Sequence, residues 1–118
     1  MPPVYALNLF DLAPNEDYVE YQRRVADGVR RHGATNVWFG SFTRDLQPDG
    51  QTAPRQLMVL VEWSTREGFD AFRADPGLEE VHGLRKSGTR NYLWWEFERL
   101  EAGRAWAQAL AAARVQAG

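Results

Sequence analysis

The chain contains no cysteine. Disulfides, thiolate nucleophiles and sulfur-ligated metals are therefore excluded, and a reducing cytoplasm is the expected compartment. An excess of charge of either sign is also lacking: 14 basic and 16 acidic residues are spread along the chain, for a formal net charge of −2. That balance offers nothing to nucleic acid or to an anionic membrane surface, and neither is expected as a partner. No stretch approaches the roughly 20 apolar residues of a membrane helix. The opening MPPVYALNLF has neither the basic region nor the small-residue cleavage site of a signal peptide, so a soluble protein is expected. A glycine-rich phosphate loop, a paired-histidine metal motif and a serine triad are all missing, and no metal site is expected. What the chain has in quantity is aromatic: five Trp, six Phe and four Tyr in 118 residues. So many rings in so small a chain fill a bulky core or line a cavity.

The stretch from Gln56 to Arg85 carries most of the organisation. Gln56 to Trp63 is a near-continuous apolar run, short and β-branched enough for a buried strand. The period then changes. Ser64-Thr65-Arg66-Glu67 fits a capping box opened by Ser64, and Phe69 and Phe72 put aromatic rings on one face of a short helix. Asp75-Pro76-Gly77 stops that helix and starts another, since proline lacks a donor but suits a first helical turn. Leu78, Val81, His82 and Arg85 share one face of this second helix.

Before this stretch, Val4 to Phe10 reads as a strand with Val4, Ala6, Asn8 and Phe10 on one face. Asn8 is a lone amide in an apolar row. It is either a polar core residue tied to neighbouring backbone or an amide aimed into a pocket, because a buried amide left without partners costs about 1–3 kcal/mol. A helix follows, with Asn15 as its expected N-cap and Tyr18, Tyr21, Val25, Val29 and His32 as its buried stripe. Gly33 ends it. Thr35 to Thr43 alternates as a second strand, and the Pro- and Gly-bearing segment from Arg44 to Arg55 joins it antiparallel to the strand from Gln56. Thr89 to Glu98 is a fourth strand. The alanine-rich tail from Glu101 forms a helix with a narrow apolar stripe of Trp106, Leu110 and Ala113.

This order predicts an α+β, ferredoxin-like βαββαβ domain over residues 1–100, with a four-stranded antiparallel sheet and a helical extension over 101–118. Leu57, Val59, Val61 and Trp63 alternate with Met58 and Leu60, so the strands are apolar on both sides and one layer of helices leaves a face uncovered. A second copy covers it, and a homodimer is expected.

The element order, the size and the layout of VEWSTREGFDAFRADPGLEEVHGLR resemble the dimeric α/β-barrel superfamily over about residues 4 to 98. That resemblance implies two ferredoxin-like sheets paired into one barrel. The superfamily includes antibiotic biosynthesis monooxygenases, which oxidise polycyclic aromatic substrates without metal or flavin, and heme-degrading monooxygenases. In the heme-degrading group a tryptophan ends the third strand, a histidine before the last strand ligates iron and an asparagine lies on the first strand. Trp63, His82 and Asn8 stand in those places. The second tryptophan of the heme pattern is replaced by Phe72.

From the residues themselves, His82 is the one side chain of the expected site that titrates near neutrality, and so is the candidate acid/base or axial ligand. The alternative is an ordinary core or surface histidine. Arg85 holds a carboxylate or phenolate, or lies at the surface. Glu62 and Glu96 are interior groups paired with Arg90 or Arg99 across the dimer, or general bases raised by burial. Trp38, Trp63, Phe72, Tyr92 and Trp94 wall a cavity for a flat aromatic molecule, or fill the barrel. The preferred reading is a cofactor-independent oxygenase, or a related isomerase or cyclase, enclosing a polyketide-like aromatic substrate with Asn8 and His82 catalytic. A heme protein using His82, and a non-catalytic ligand-binding or oligomerisation module, stand as alternatives.

Overall fold

The computed structural model describes residues 2–118. The alternation of β1 (Val4–Leu12) is realised as alternating burial, with Val4, Ala6, Asn8 and Phe10 all inward. Helix α1 (Asp17–Arg31) begins one residue beyond the expected cap, with Glu16 in the cap position. Asn15 accepts from the Asp17 N–H at 2.9 Å and donates to the Ser87 carbonyl at 3.1 Å, so its amide ties the start of α1 to a later helix. Gly33, at φ 99°, ends α1 in the left-handed conformation that glycine adopts without a Cβ clash. The acids interleaved with the basic cluster pair with it at the surface, Asp27 with Arg30 and Arg31, and Glu80 with Arg24.

Strands β2 (Ala34–Ser41) and β3 (Leu57–Trp63) are antiparallel neighbours joined by the long hairpin connection. Helix α2 (Arg66–Ala74) is capped by Thr65, whose hydroxyl accepts from the Gly68 N–H at 3.0 Å. This corrects the capping box: with the cap one residue later, the third helical position is Gly68, which has no side chain to return the bond. Ser64 donates its N–H to the Gly33 carbonyl instead, at 2.9 Å. Asp75 caps a 3-10 turn at Pro76–Leu78 that leads into α3 (Glu79–Ser87). Strand β4 (Thr89–Phe97) and helix α4 (Arg104–Ala117) complete the chain.

The sheet order is β2-β3-β1-β4 and every neighbouring pair is antiparallel, which makes this the α+β ferredoxin-like fold. Helices α1, α2 and α3 lie on one face. The core between the layers is Val4, Ala6, Val25, Val61, Trp63, Phe69, Phe72, Leu78 and Val81. Close approach of α1 to α3 depends on Gly88, where a Cβ would stand 2.5 Å from the Tyr18 nitrogen.

The other face is uncovered. Register places Trp38, Leu60, Leu7 and Trp95 in one row across all four strands, and Trp38 and Trp95 are 45% and 49% exposed. Trp38 is thus on the side away from the helices, which corrects its assignment to the wall of a helix-side cavity. The next row, Asn36, Glu62, Tyr5 and Phe97, is polar at its centre. Glu62 accepts from Asn36 at 2.8 Å and from Tyr5 at 3.0 Å. Those bonds stabilise the carboxylate and hold its pKa below the usual range, the reverse of a base raised by burial. Glu96 pairs with Arg66 of its own chain at 2.9 Å. Helix α4 buries none of its side chains, and Trp106 and Leu110 are about half exposed.

Candidate ligand-binding site

Between α1 and the sheet lies a cavity of about 140 Å³. Its floor is the inward row Phe39, Val59, Asn8 and Trp94, one residue from each strand, and its roof is the stripe of α1. Trp63 and Phe72 close one side, with ring centroids 4.9 Å apart. The β2 edge is open, because Phe39 there is 67% exposed.

A defect in the sheet builds the polar part of this cavity. The β1–β4 register runs Leu9 to Leu93 and then Asp11 to Arg90, so β4 carries one extra residue opposite Phe10. Asn91 takes up the excess at φ 54°, a conformation asparagine tolerates better than most residues, and its amide donates to Asp11 at 2.9 Å. The bulge turns Tyr92 inward, where it stacks on Phe10 at 5.4 Å and donates its hydroxyl to Asn8 Oδ1. The Asn8 amide is otherwise committed to backbone, with Nδ2 donating to Val59 at 3.0 Å and to Ala6 at 3.4 Å. Asn8 is therefore both of the things its sequence position allowed: tied to neighbouring backbone and lining a cavity. Its donors are used, and the group it presents is the oxygen that orients Tyr92.

Tyr18, Tyr21 and Gln22 also line the cavity, and Gln22 donates to the Tyr18 hydroxyl at 3.0 Å. Periodicity marks Tyr18 and Tyr21 only as part of a helix stripe and does not mark Gln22; a glutamine four residues after a tyrosine on a buried stripe is the one sequence sign of them. Burial pushes the Tyr21 phenol up to about 12 and raises those of Tyr18 and Tyr92, against the nearby Arg85 charge. All three remain neutral hydroxyls at pH 7, able to donate but not to act as bases. No Asp, Glu, His, Lys or Arg stands among the lining residues.

His82 does not share this cavity. Its ring meets Phe72 edge-on at 4.8 Å and its Nε2 lies 3.0 Å from the Phe72 carbonyl. A carbonyl only accepts, so Nε2 carries the proton and Nδ1 is the bare nitrogen, buried without a partner. Burial lowers the His82 pKa, outweighing the Phe72 bond, and the ring is neutral at pH 7. Heme does not fit these residues: the nitrogen facing outward from the ring is sealed, the other is bonded to backbone, and the Asn8 cavity is far too small for a macrocycle. Among the described residues no group of three His, Cys, Asp or Glu is placed to hold a metal ion, and no helix is long and apolar enough to cross a membrane. Arg85 is also buried, with its guanidinium 4.5 Å from the Trp94 ring centre and 5.4 Å from that of Tyr92. Of the residues singled out from sequence, the cavity gathers Asn8, Trp63, Phe72, Tyr92 and Trp94, and leaves out Trp38, His82 and Arg85.

No protein-family model matches the sequence, and no curated protein does. Solved structures do. RPA0582 of Rhodopseudomonas palustris, a protein of unknown function, is similar with a TM-score of 0.73 and 22% identity over 85% of this chain and 84% of that one. A dimeric ferredoxin-like protein of unknown function from Jannaschia sp. CCS1 gives a TM-score of 0.63 at 16% identity over 82% of this chain and 99% of its own. SnoaB of Streptomyces nogalater, a cofactor-independent oxygenase, gives 0.64 at 13% identity over 88% and 99%. These likenesses establish a shared fold.

Proposed function

We propose that this protein encloses a small aromatic molecule in the cavity between α1 and the sheet and oxygenates it without a cofactor, as a homodimer. The observation that carries the reading is the cavity itself: apolar and aromatic walls with a few tyrosine hydroxyls, of which that of Tyr92 is oriented by Asn8. Its volume of about 140 Å³ is close to the roughly 150 Å³ known to admit benzene. The substrate therefore places one ring inside, and a fused-ring, polyketide-like body continues past Phe39 through the open edge. The fold shared with SnoaB supports the reaction type. The uncovered Trp38–Trp95 row, and similar folds described as dimeric, support the second copy. Residues 1–100 form the ferredoxin-like unit on this reading, and 101–118 an extension to it.

With no Asp, Glu, His, Lys or Arg on the wall, the substrate is an aromatic ketone with an enolisable CH2, acidic enough to lose its proton to water. Tyr92 then turns its hydroxyl from Asn8 to the substrate oxyanion, in a dry site where such a donor is strong. The substrate anion passes one electron to O2, the radical pair joins as a peroxide at the carbon that lost the proton, the peroxide regains that proton from water, and loss of water leaves a carbonyl. One CH2 and one O2 become one C=O and one H2O. Asn8 is a positioning residue here, acting through Tyr92. His82, which does not line the cavity, supports Phe72.

The test is oxygen uptake with a panel of one-ring and fused-ring aromatic ketones that carry an enolisable CH2, anthrones among them. Uptake above the spontaneous rate, reduced about 10²- to 10³-fold by Tyr92→Phe with KM little changed, is expected. A second reading is a ligand-binding module, favoured by the absence of a base on the wall. Saturable binding of the same compounds with no uptake above background would establish that reading and remove the oxygenase.

A further inference from the structure

Arg85 is 7% exposed, yet its guanidinium makes no hydrogen bond and no ion pair among the described residues. Buried cations are ordinarily paired, because a guanidinium taken out of water without an anion is costly. Only the faces of Trp94 and Tyr92 hold this one. A cation over a ring is attracted by the π-face, which leaves its N–H donors free. Those donors belong to a cleft of about 260 Å³ where the end of α3 meets the start of β4. Lys86, Arg90, Thr89 and Asn91 complete its wall, no acid lines it, and neither Lys86 nor Arg90 has a carboxylate partner among the described residues. In a chain of net charge −2, three unpaired cations around one cleft are a local reversal of sign. An adjoining cleft, also lined by Arg85 and Lys86, carries Asp75 and Glu79, but Asp75 is already taken by Arg31 and His32.

We propose that this cleft is an oxyanion-binding site, in which the carboxylate or phosphate of a small molecule pairs with Arg85 and is flanked by Lys86 and Arg90. Arginine supplies parallel N–H donors that match both oxyanions. Bound there, the anion pairs with a cation that is mostly buried and has its N–H groups turned to the cleft. The site stands on its own observations and holds whether or not the Asn8 cavity performs oxygenation.

The experiment is a titration of the full chain at constant ionic strength with benzoate, inorganic phosphate and, as the neutral analogue, benzamide. Binding is followed through the Arg85 side-chain and Trp94 indole N–H signals in 1H–15N spectra. Saturable shifts with benzoate or phosphate, and none with benzamide, are expected, and the oxyanion that binds identifies the source. Arg85→Met should weaken binding about 10- to 100-fold, as loss of charge-assisted hydrogen bonds does. Should that variant not fold, the exposed pair Lys86→Gln and Arg90→Gln leaves the fold intact and weakens binding severalfold. The proposal is overturned if neither anion binds saturably, if benzamide binds equally well, or if binding ignores both sets of substitutions.

Discussion

Replacing Tyr92 by phenylalanine removes one oxygen and isolates another. Asn8 is 7% exposed and its Oδ1 has Tyr92 as its one hydrogen-bond partner. Without that hydroxyl, a buried acceptor is stranded, at a cost of about 1–3 kcal/mol. For a domain of this size each kcal/mol moves Tm by about 4 °C, so Tyr92→Phe should melt roughly 4–12 °C lower. The phenylalanine keeps the stack on Phe10, so lost packing adds little. Asn8→Leu alone should cost at least as much, because it strands the Tyr92 hydroxyl and takes Nδ2 away from the Val59 and Ala6 carbonyls. The decisive measurement is the double-mutant cycle by urea and thermal melts. In the Asn8→Leu background Tyr92→Phe should be nearly neutral, since both partners of the bond are then gone, giving a coupling of about 1–3 kcal/mol. If Tyr92→Phe lies within about 0.5 kcal/mol of wild type, or if the two changes simply add, the hydroxyl is not held by Asn8 and the orientation assigned to the cavity falls.

Three further outcomes rest on how the chain packs. Tyr21 is pushed from 10.0 to about 12 by burial, so between those values the unfolded chain gives up a proton that the folded chain keeps. Stability is then full below pH 10 and declines through pH 12, by about 3 kcal/mol for Tyr21, and Tyr21→Phe should flatten that alkaline limb in pH-dependent melts; a limb unchanged by the substitution refutes the assignment. On the open face, the wild-type chain should sediment at twice its 13.5 kDa, and Trp38→Glu should yield a folded monomer. Deleting residues 101–118 should lower Tm or shift that equilibrium, since Trp106 and Leu110 find no cover within one chain and so short an alanine-rich helix is marginal alone. A wild-type monomer at micromolar concentration, or an inert deletion, would count against the second copy.

What lay in the sequence is what local periodicity and turn chemistry control. Alternation in β1 placed Val4, Ala6, Asn8 and Phe10 together, and all four are buried. Proline at the start of a turn separated α2 from α3, and the spacing of Leu78, Val81, His82 and Arg85 set them on one face, also all buried. The element order sufficed for the ferredoxin-like sheet, because each strand is short, apolar and bounded by turn or capping residues. Tertiary structure alone decided where polar atoms point. Trp38 and Phe39 are adjacent and equally aromatic, and only register against Leu60 and Val59 sends one to the open face and the other to the cavity rim. Tyr92 reaches Asn8 because β4 has one residue too many opposite Phe10, and Asn91 absorbs it against Asp11, a partner 80 residues away in sequence. His82 and Arg85 share a helical face, yet one spends its proton on a backbone carbonyl and the other rests unpaired on two rings. A helical face is a property of 3.6 residues per turn, whereas the direction of a hydrogen bond belongs to whatever distant chain has packed beside it.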